Sequence, residues 1–131
     1  KGGIVPLADF VNMPYDRDIL VRVIVKKTAA HYSYKSVRIS KTDFPVLTCA
    51  AALTQEGVRP LRPARPAKAA LVKDAEKLAT LPMTAEKAQA FAEYAAGLLP
   101  TETNPRGSAA YRTHLIKVLT ARCLTELGGK A

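Results

Sequence analysis

A chain of 131 residues has room for one hydrophobic core of ordinary size, and a composition that is 48% hydrophobic and 24% charged is that of a soluble globular domain. Twenty lysines and arginines against 11 aspartates and glutamates give a net charge of +9, which favours phosphates, anionic membranes or an acidic partner without choosing among them. Five tyrosines, three phenylalanines and no tryptophan supply a stacking platform for single-stranded nucleic acid poorly, and the longest apolar run falls well short of the roughly 20 residues of a membrane span.

Residues 1–5 lack an initiating Met and the basic-then-apolar pattern of a secretory signal, so they read as the tail of a strand or turn in a cytoplasmic fragment of something longer. Residues 6–10 suit a single helical turn, and 12–18 a polar, proline-broken connection. Residues 19–27 carry the clearest strand pattern: Val21, Val23 and Val25 share one face, and Leu20, Arg22, Ile24 and Lys26 the other. Residues 31–35 alternate again, with Tyr32 and Tyr34 on one side and His31, Ser33 and Lys35 on the other; residues 36–43 continue as a basic, polar segment. Residues 44–53 are apolar on both faces, as a central strand covered on two sides would be, with helix as the competitor for the alanine-rich half. Pro45 confines full pairing to the residues beyond it.

Residues 54–57 turn the chain, and 58–66 form a Pro/Arg connector that cannot be helical before Pro66, a suitable first helical residue. Three helices are predicted beyond it. The first, 67–78, aligns Ala67, Ala70, Leu71, Ala75 and Leu78 on one stripe. Thr84 caps the second, with Glu86 near its positive end and Ala88, Phe91, Ala92, Ala95, Leu98 and Leu99 inward. Residues 99–107 form a rigid polar loop, after which Ser108 caps the third helix, closed by Gly128 and Gly129. On that helix, at about 100° per residue, Tyr111, Leu115, Ile116, Val118, Leu119, Cys123 and Leu127 share one broad side. Strands followed by helices predict one α+β domain over residues 1–131: a small antiparallel sheet of three to four strands, covered on one face by three C-terminal helices. The other face, with Leu20 and Ile24 among basic groups, is left for a partner.

No self-contained active site emerges. Ser108 and His114 lie on one helix but about 120° apart in azimuth and roughly 9 Å along the axis, which rules out a triad. His31 and His114 lack an i,i+4 partner, and Cys49 and Cys123 sit inside apolar patterns that fit neither zinc nor iron–sulfur spacing, so no metal is assigned. The pairs Asp16/Asp18 and Asp74/Glu76 do not hold two carboxylates over one substrate. Glycine-rich phosphate loops are absent from the sequence, so tight nucleotide binding by these residues alone is not expected. Arg59, Arg62, Arg65 and Lys68 suit either an exposed connector or the footprint of a small basic nucleic-acid-binding α+β module, the alternative function.

Two separated motifs point further. Arg106, Gly107, Ser108, Tyr111 and Arg112, then Leu115, Val118, Leu119, Arg122 and Leu124, resemble the closing helix of the FAD-binding subunit of the molybdenum hydroxylases, the group of xanthine dehydrogenase and aerobic carbon monoxide dehydrogenase. Tyr34, Lys35, Arg38, Asp43, Val46, Ala50 and Leu53 resemble, in order and without gaps, that family's aromatic and Lys, Arg, Asp and apolar strand. Asp9 and Phe10 near the start, and Gly57, Pro60 and Arg62 before the first predicted helix, extend the likeness over nearly the whole chain.

The resemblance implies a C-terminal domain packed beside the ring of an FAD held mainly by a preceding N-terminal domain. In such enzymes electrons pass from a molybdopterin centre through iron–sulfur clusters to FAD and on to an acceptor. It implies partners in an N-terminal FAD domain, an iron–sulfur subunit and a molybdenum subunit that chooses the substrate. Lys35 would stand near the flavin's pyrimidine end, where a cation stabilises charge developing on reduction, and Arg38 and Asp43 would order the same loop. Arg106, Tyr111 and Arg122 would tie the last helix to the sheet. No catalytic residue and no bound FAD are expected of this fragment alone. Two departures stand out: Ile39 succeeds Arg38 where the family often has a second Arg, and only Thr54, Gln55 and Glu56 join Leu53 to Gly57 where a further hairpin is expected.

Overall fold

A computed structural model describes residues 3–14, 17–54, 57–59 and 69–130. Its elements are α1 (Leu7–Phe10), β1 (His31–Val37), β2 (Leu47–Thr54), β3 (Gly57–Arg59), α2 (Ala85–Leu98) and α3 (Ala109–Gly128). The strands form one antiparallel sheet in the order β1-β2-β3. The α+β class and the small antiparallel sheet are those predicted.

Alternation fixes the register. Ser33, Lys35 and Val37 of β1 lie opposite Ala51, Cys49 and Leu47 of β2, so these six side chains share the face that meets α3. On β2 every odd position from Leu47 to Leu53 is buried. The opposite face carries Tyr32 and Tyr34, both exposed, across from Ala52 and Ala50. Thr54 and Gly57 close the β2–β3 hairpin as a cross-strand pair, with Gly57 at φ +107, a conformation that favours glycine. The third strand is thus a three-residue stub inside what the sequence presents as a turn and connector, and the sheet has three strands among the described residues.

α3 is the central rod. It packs on β1 and β2 with one side and on α2 with the other, whereas among the described residues α2 does not reach the strands. This explains why buried residues encircle so much of α3: Leu115, Ile116, Leu119, Cys123, Leu124 and Leu127 are all in the core. The predicted caps form. Ser108 Oγ accepts from Tyr111 N at 3.1 Å and Thr84 Oγ1 from Lys87 N at 3.3 Å, each satisfying a first-turn donor. Phe91, Ala92 and Ala95 turn inward on α2, but Leu98 is exposed and Leu99, just past the helix, takes the core position instead.

Two predicted elements are corrected. Residues 19–27 carry no regular secondary structure, no strand among the described residues pairs with them, and Ile19, Val21 and Val25 are each more than 80% exposed. Alternation alone does not make a strand without a ladder to satisfy its backbone groups. The open face of the sheet therefore presents Tyr32 and Tyr34 rather than Leu20 and Ile24. The first predicted C-terminal helix, 67–78, is also absent wherever it is described, so the described residues hold two C-terminal helices in place of three. There the Asp74 carboxylate accepts the backbone N–H groups of Leu78 at 2.8 Å and Ala79 at 2.9 Å, competing with helical bonding, and Lys77 sits at φ +55. Val72 and Ala79, outside the predicted stripe, are the residues this segment buries. Most of the Pro/Arg connector, residues 60–68, lies outside the described residues, as does Asp16. No helix among the described residues is long and apolar enough to cross a membrane.

Candidate functional site

Lys35 occupies the middle of β1, an edge strand, and points to the α3 side of the sheet together with Ser33. α3 crosses this edge with its C-terminal half and presents Glu126 to both. The Lys35 ammonium makes an ion pair with Glu126 Oε2, and Ser33 Oγ donates to the same oxygen at 2.9 Å. Lys130 Nζ reaches Oε1 at 3.2 Å. Three donors on one carboxylate hold the Glu126 carboxyl at about 2, through Lys35 first, then Ser33 and Lys130. The Lys35 ammonium is correspondingly raised above the ordinary lysine value, chiefly by its bond to Glu126.

Beside this pair opens a shallow groove of about 500 Å³ lined by Lys35, Ala121, Arg122, Thr125 and Glu126. Its chemistry is that of a cationic rim backed by a carboxylate. Beneath it Cys49, directly across the ladder from Lys35, meets Cys123 of α3; both thiols are fully buried and unbridged. The Cys123 thiol is lowered to about 7, first by the hydrogen bond from Cys49, then by Ser33 and by the positive charge of Lys35. Cys49 is driven up by its bond to Cys123 and by burial, and so keeps its proton.

Arg38 and Asp43 come together elsewhere, in the loop after β1. Arg38 donates to the Asp43 backbone carbonyl at 2.5 Å, and the Asp43 carboxylate accepts from Phe44 N at 2.7 Å. The same carboxylate lies 3.4 Å from Arg106 Nε, and the Arg106 guanidinium sits over the Phe44 ring at 5.6 Å. Arg106 thus ties the approach to α3 to the β1–β2 loop. Lys35 and the Arg38/Asp43 loop lie toward opposite ends of α3. Arg122 faces the groove rather than the sheet, and Tyr111 is 44% exposed.

The anchor that sequence reasoning missed is Arg112, buried at 1% exposure. Its Nε donates to Val46 O at 3.3 Å, and its remaining nitrogens donate to the carbonyls of Glu102 and Gly107 and to Asn104 Oδ1. It clasps the loop before α3 to the start of β2. Helical spacing places Arg112 on the stripe of Leu115 and Leu119, a legible signal that its charge disguises. Glu126 and Ser33 also escape sequence reasoning; Ser33 shares the face of Lys35, but nothing local marks a partner 93 residues away. His31 and His114 are exposed, and no group of three metal-ligating side chains occurs among the described residues.

A family model for the CO dehydrogenase flavoprotein C-terminal domain matches residues 32–127, which includes nearly all of β1 and α3 and the whole of β2, β3 and α2. The chain belongs to this family. The resemblance carried by the Lys35–Leu53 and Arg106–Leu124 motifs is thereby borne out. Among solved structures the fold is shared with a carbon monoxide dehydrogenase from Hydrogenophaga pseudoflava that lacks the Mo-pyranopterin moiety of the molybdenum cofactor, at TM-score 0.65 and 22% identity, covering 83% of this chain and 40% of that one. It is also shared with quinoline 2-oxidoreductase from Pseudomonas putida 86, at TM-score 0.62 and 22% identity over 79% of this chain and 39% of that one. A cyanide-inactivated Cu,Mo-CO dehydrogenase gives TM-score 0.64 at 18% identity, over 82% of this chain and 40% of that one. The chain spans about 40% of the length of these structures. No curated protein matches it.

Proposed function

We propose that this chain works as the C-terminal, flavin-covering part of an FAD-binding subunit in a molybdenum-hydroxylase-type oxidoreductase, with Lys35, Arg38 and Asp43 as its contribution to the flavin site. Its partners in that reading are an N-terminal FAD-anchoring domain, an iron–sulfur subunit and a molybdenum subunit, together in the cytoplasm. When bound, FAD supplies the acceptor for electrons arriving through the iron–sulfur clusters and passes them to a further acceptor.

The residues present fit the ring of a flavin better than its phosphates. An ammonium has three donor hydrogens, and the Glu126 contact uses one, so Lys35 can donate to a carbonyl oxygen at the groove while Glu126 and Ser33 hold it in place. Glu126 also keeps Lys35 protonated across the neutral range, so a fixed positive charge stands at the groove before any electron arrives. The phosphates find no glycine-rich cradle in this sequence, so their anchoring falls to the N-terminal domain. Arg38 and Asp43 serve by bracing the β1–β2 loop through each other and through Arg106. The side chains behind the nucleic-acid alternative, Arg59, Arg62, Arg65 and Lys68, lie outside what is described, and the family match supports the flavin reading.

The observation that carries the proposal is the family match over residues 32–127 combined with a held cation at an open groove. Reconstitution tests it. The full subunit should take up FAD and turn yellow, whereas the 131 residues alone should stay colourless under the same treatment. A full subunit that stays apo after incubation with excess FAD would refute it.

A further inference from the structure

Most fully buried cysteines are small hydrophobic residues in apolar company, and their thiols do no chemistry. Cys49 and Cys123 keep different company. Both are 0% exposed, but they lie against each other across the β2–α3 interface, with Cys123 Sγ 3.8 Å from Cys49 O and Cys49 Sγ 3.8 Å from Thr120 Oγ1. Lys35 stands directly across the ladder from Cys49, and Ser33 and Glu126 complete a polar cap over Cys123. Two thiols, two hydroxyls and an ion pair therefore meet at one place on the β2–α3 interface.

We propose that Cys49 and Cys123 form a modification site, a dithiol that a small peroxide oxidises to a disulfide joining β2 to α3. The geometry selects the attacking sulfur. Cys123 is the thiol that lies beneath the Lys35 ammonium and the Ser33 hydroxyl, where a thiolate is favoured, so it is the attacking sulfur and Cys49 is the resolving partner. The cover above it is the Lys35–Glu126 pair, roughly a third exposed, beside a groove lined by Ala121, Arg122 and Thr125 from the α3 turns on either side of Cys123. In the proposal a molecule the size of hydrogen peroxide reaches the thiols when that surface pair opens, whereas a bulky disulfide reagent does not.

The chemistry balances. The Cys123 thiolate attacks one peroxide oxygen, an S–O bond forms as the O–O bond breaks, and the departing hydroxide takes a proton and leaves as water. The Cys49 sulfur then attacks the Cys123 sulfenic sulfur, forming the S–S bond as the S–O bond breaks, and the second hydroxide leaves as water with the proton from Cys49. Two thiols are oxidised by two electrons and one peroxide is reduced to two waters.

The test treats the full chain, natively folded, with hydrogen peroxide and reads intact mass and a non-reducing peptide map. The expected product is lighter by two hydrogens, yields one cross-linked peptide containing Cys49 and Cys123, and reverts with dithiothreitol, while a bulky aromatic disulfide labels neither thiol. Cys49→Ser should lose the cross-linked peptide completely and leave a Cys123 sulfenic acid that dimedone traps when the treated chain is unfolded in urea; Cys123→Ser should leave Cys49 unmodified. Retention of both free thiols in the native wild-type chain, under peroxide that cross-links the urea-unfolded chain, would overturn the proposal. So would over-oxidation of Cys123 with no cross-linked peptide. The wild-type peptide map decides the matter even if neither variant folds.

Discussion

Lys35 on the edge strand β1 and Glu126 in the last turns of α3 are joined by an ion pair, and Ser33 Oγ, on the same face of the strand, donates to the same carboxylate oxygen at 2.9 Å. The contact does two jobs. It pins the C-terminal half of α3 to the rim of the sheet, and it holds a positive charge at the mouth of the groove.

That contact gives a pH signature. The Glu126 carboxyl lies at about 2 in the folded chain, below its unfolded value near 4.5, so its contribution is fully present above the unfolded value and is lost as pH falls through the folded one. Lys35 is raised, so its contribution is fully present below its unfolded value and disappears as pH rises through the folded one. The urea midpoint of the wild-type chain should exceed that of Glu126→Gln by a modest, nearly constant amount from about pH 5 to about pH 9, narrowing at both ends; the effect is small because a pair with more than a third of its surface open to water is screened. A gap that persists unchanged at about pH 2 would contradict the assignment.

Arg112 should be the most sensitive polar residue of the domain. Replacing it with Met leaves the carbonyls of Val46, Glu102 and Gly107 without their buried donor, a loss of about 3 kcal/mol in urea denaturation. Arg112→Lys should recover less than half of that, because a single ammonium cannot reproduce the guanidinium fork. A loss below about 1 kcal/mol for the Met variant would show that the clasp is dispensable.

Gly128 is required for space rather than for backbone freedom. A Cβ there would stand 2.7 Å from Met83 Cβ, where the end of α3 meets the segment leading into α2. Gly128→Ala should therefore destabilise by about 1–3 kcal/mol although alanine is the better helix former. Adding Met83→Gly, which removes the clashing Cβ itself, should make the cost of Gly128→Ala clearly smaller than in the wild-type background; additive effects in thermal melts of the double variant would contradict the close approach.

The helices legible in the sequence are those with caps and long stripes. Ser108 and Thr84 announce α3 and α2 because a hydroxyl before an apolar-periodic run has one good use, and the structure bonds both to first-turn donors. The alternating residues 31–35 and the apolar run 44–53 likewise announce β1 and β2, with bounds that the structure moves to 31–37 and 47–54. Residues 19–27 mislead because pairing depends on a neighbour that no local pattern encodes. Residues 67–78 mislead because the helical stripe is real on paper, but Asp74 spends its carboxylate on the backbone N–H groups of Leu78 and Ala79. At the site, Lys35 is accessible through the family motif, whereas Glu126, Ser33 and the meeting of Cys49 with Cys123 arise only when α3 is laid across β1 and β2. Such long-range pairings leave no spacing signature.

The central claim is that the Lys35 charge acts on a flavin held by the rest of the subunit, and the midpoint potential of the FAD in the full subunit, compared between wild type and Lys35→Met at matched FAD content, tests it most directly. Loss of a cation beside the ring should make the flavin harder to reduce, lowering the potential by roughly 30 mV, which for a two-electron couple is about 1.4 kcal/mol. Equal potentials in the two proteins, each fully loaded with FAD, would contradict the account.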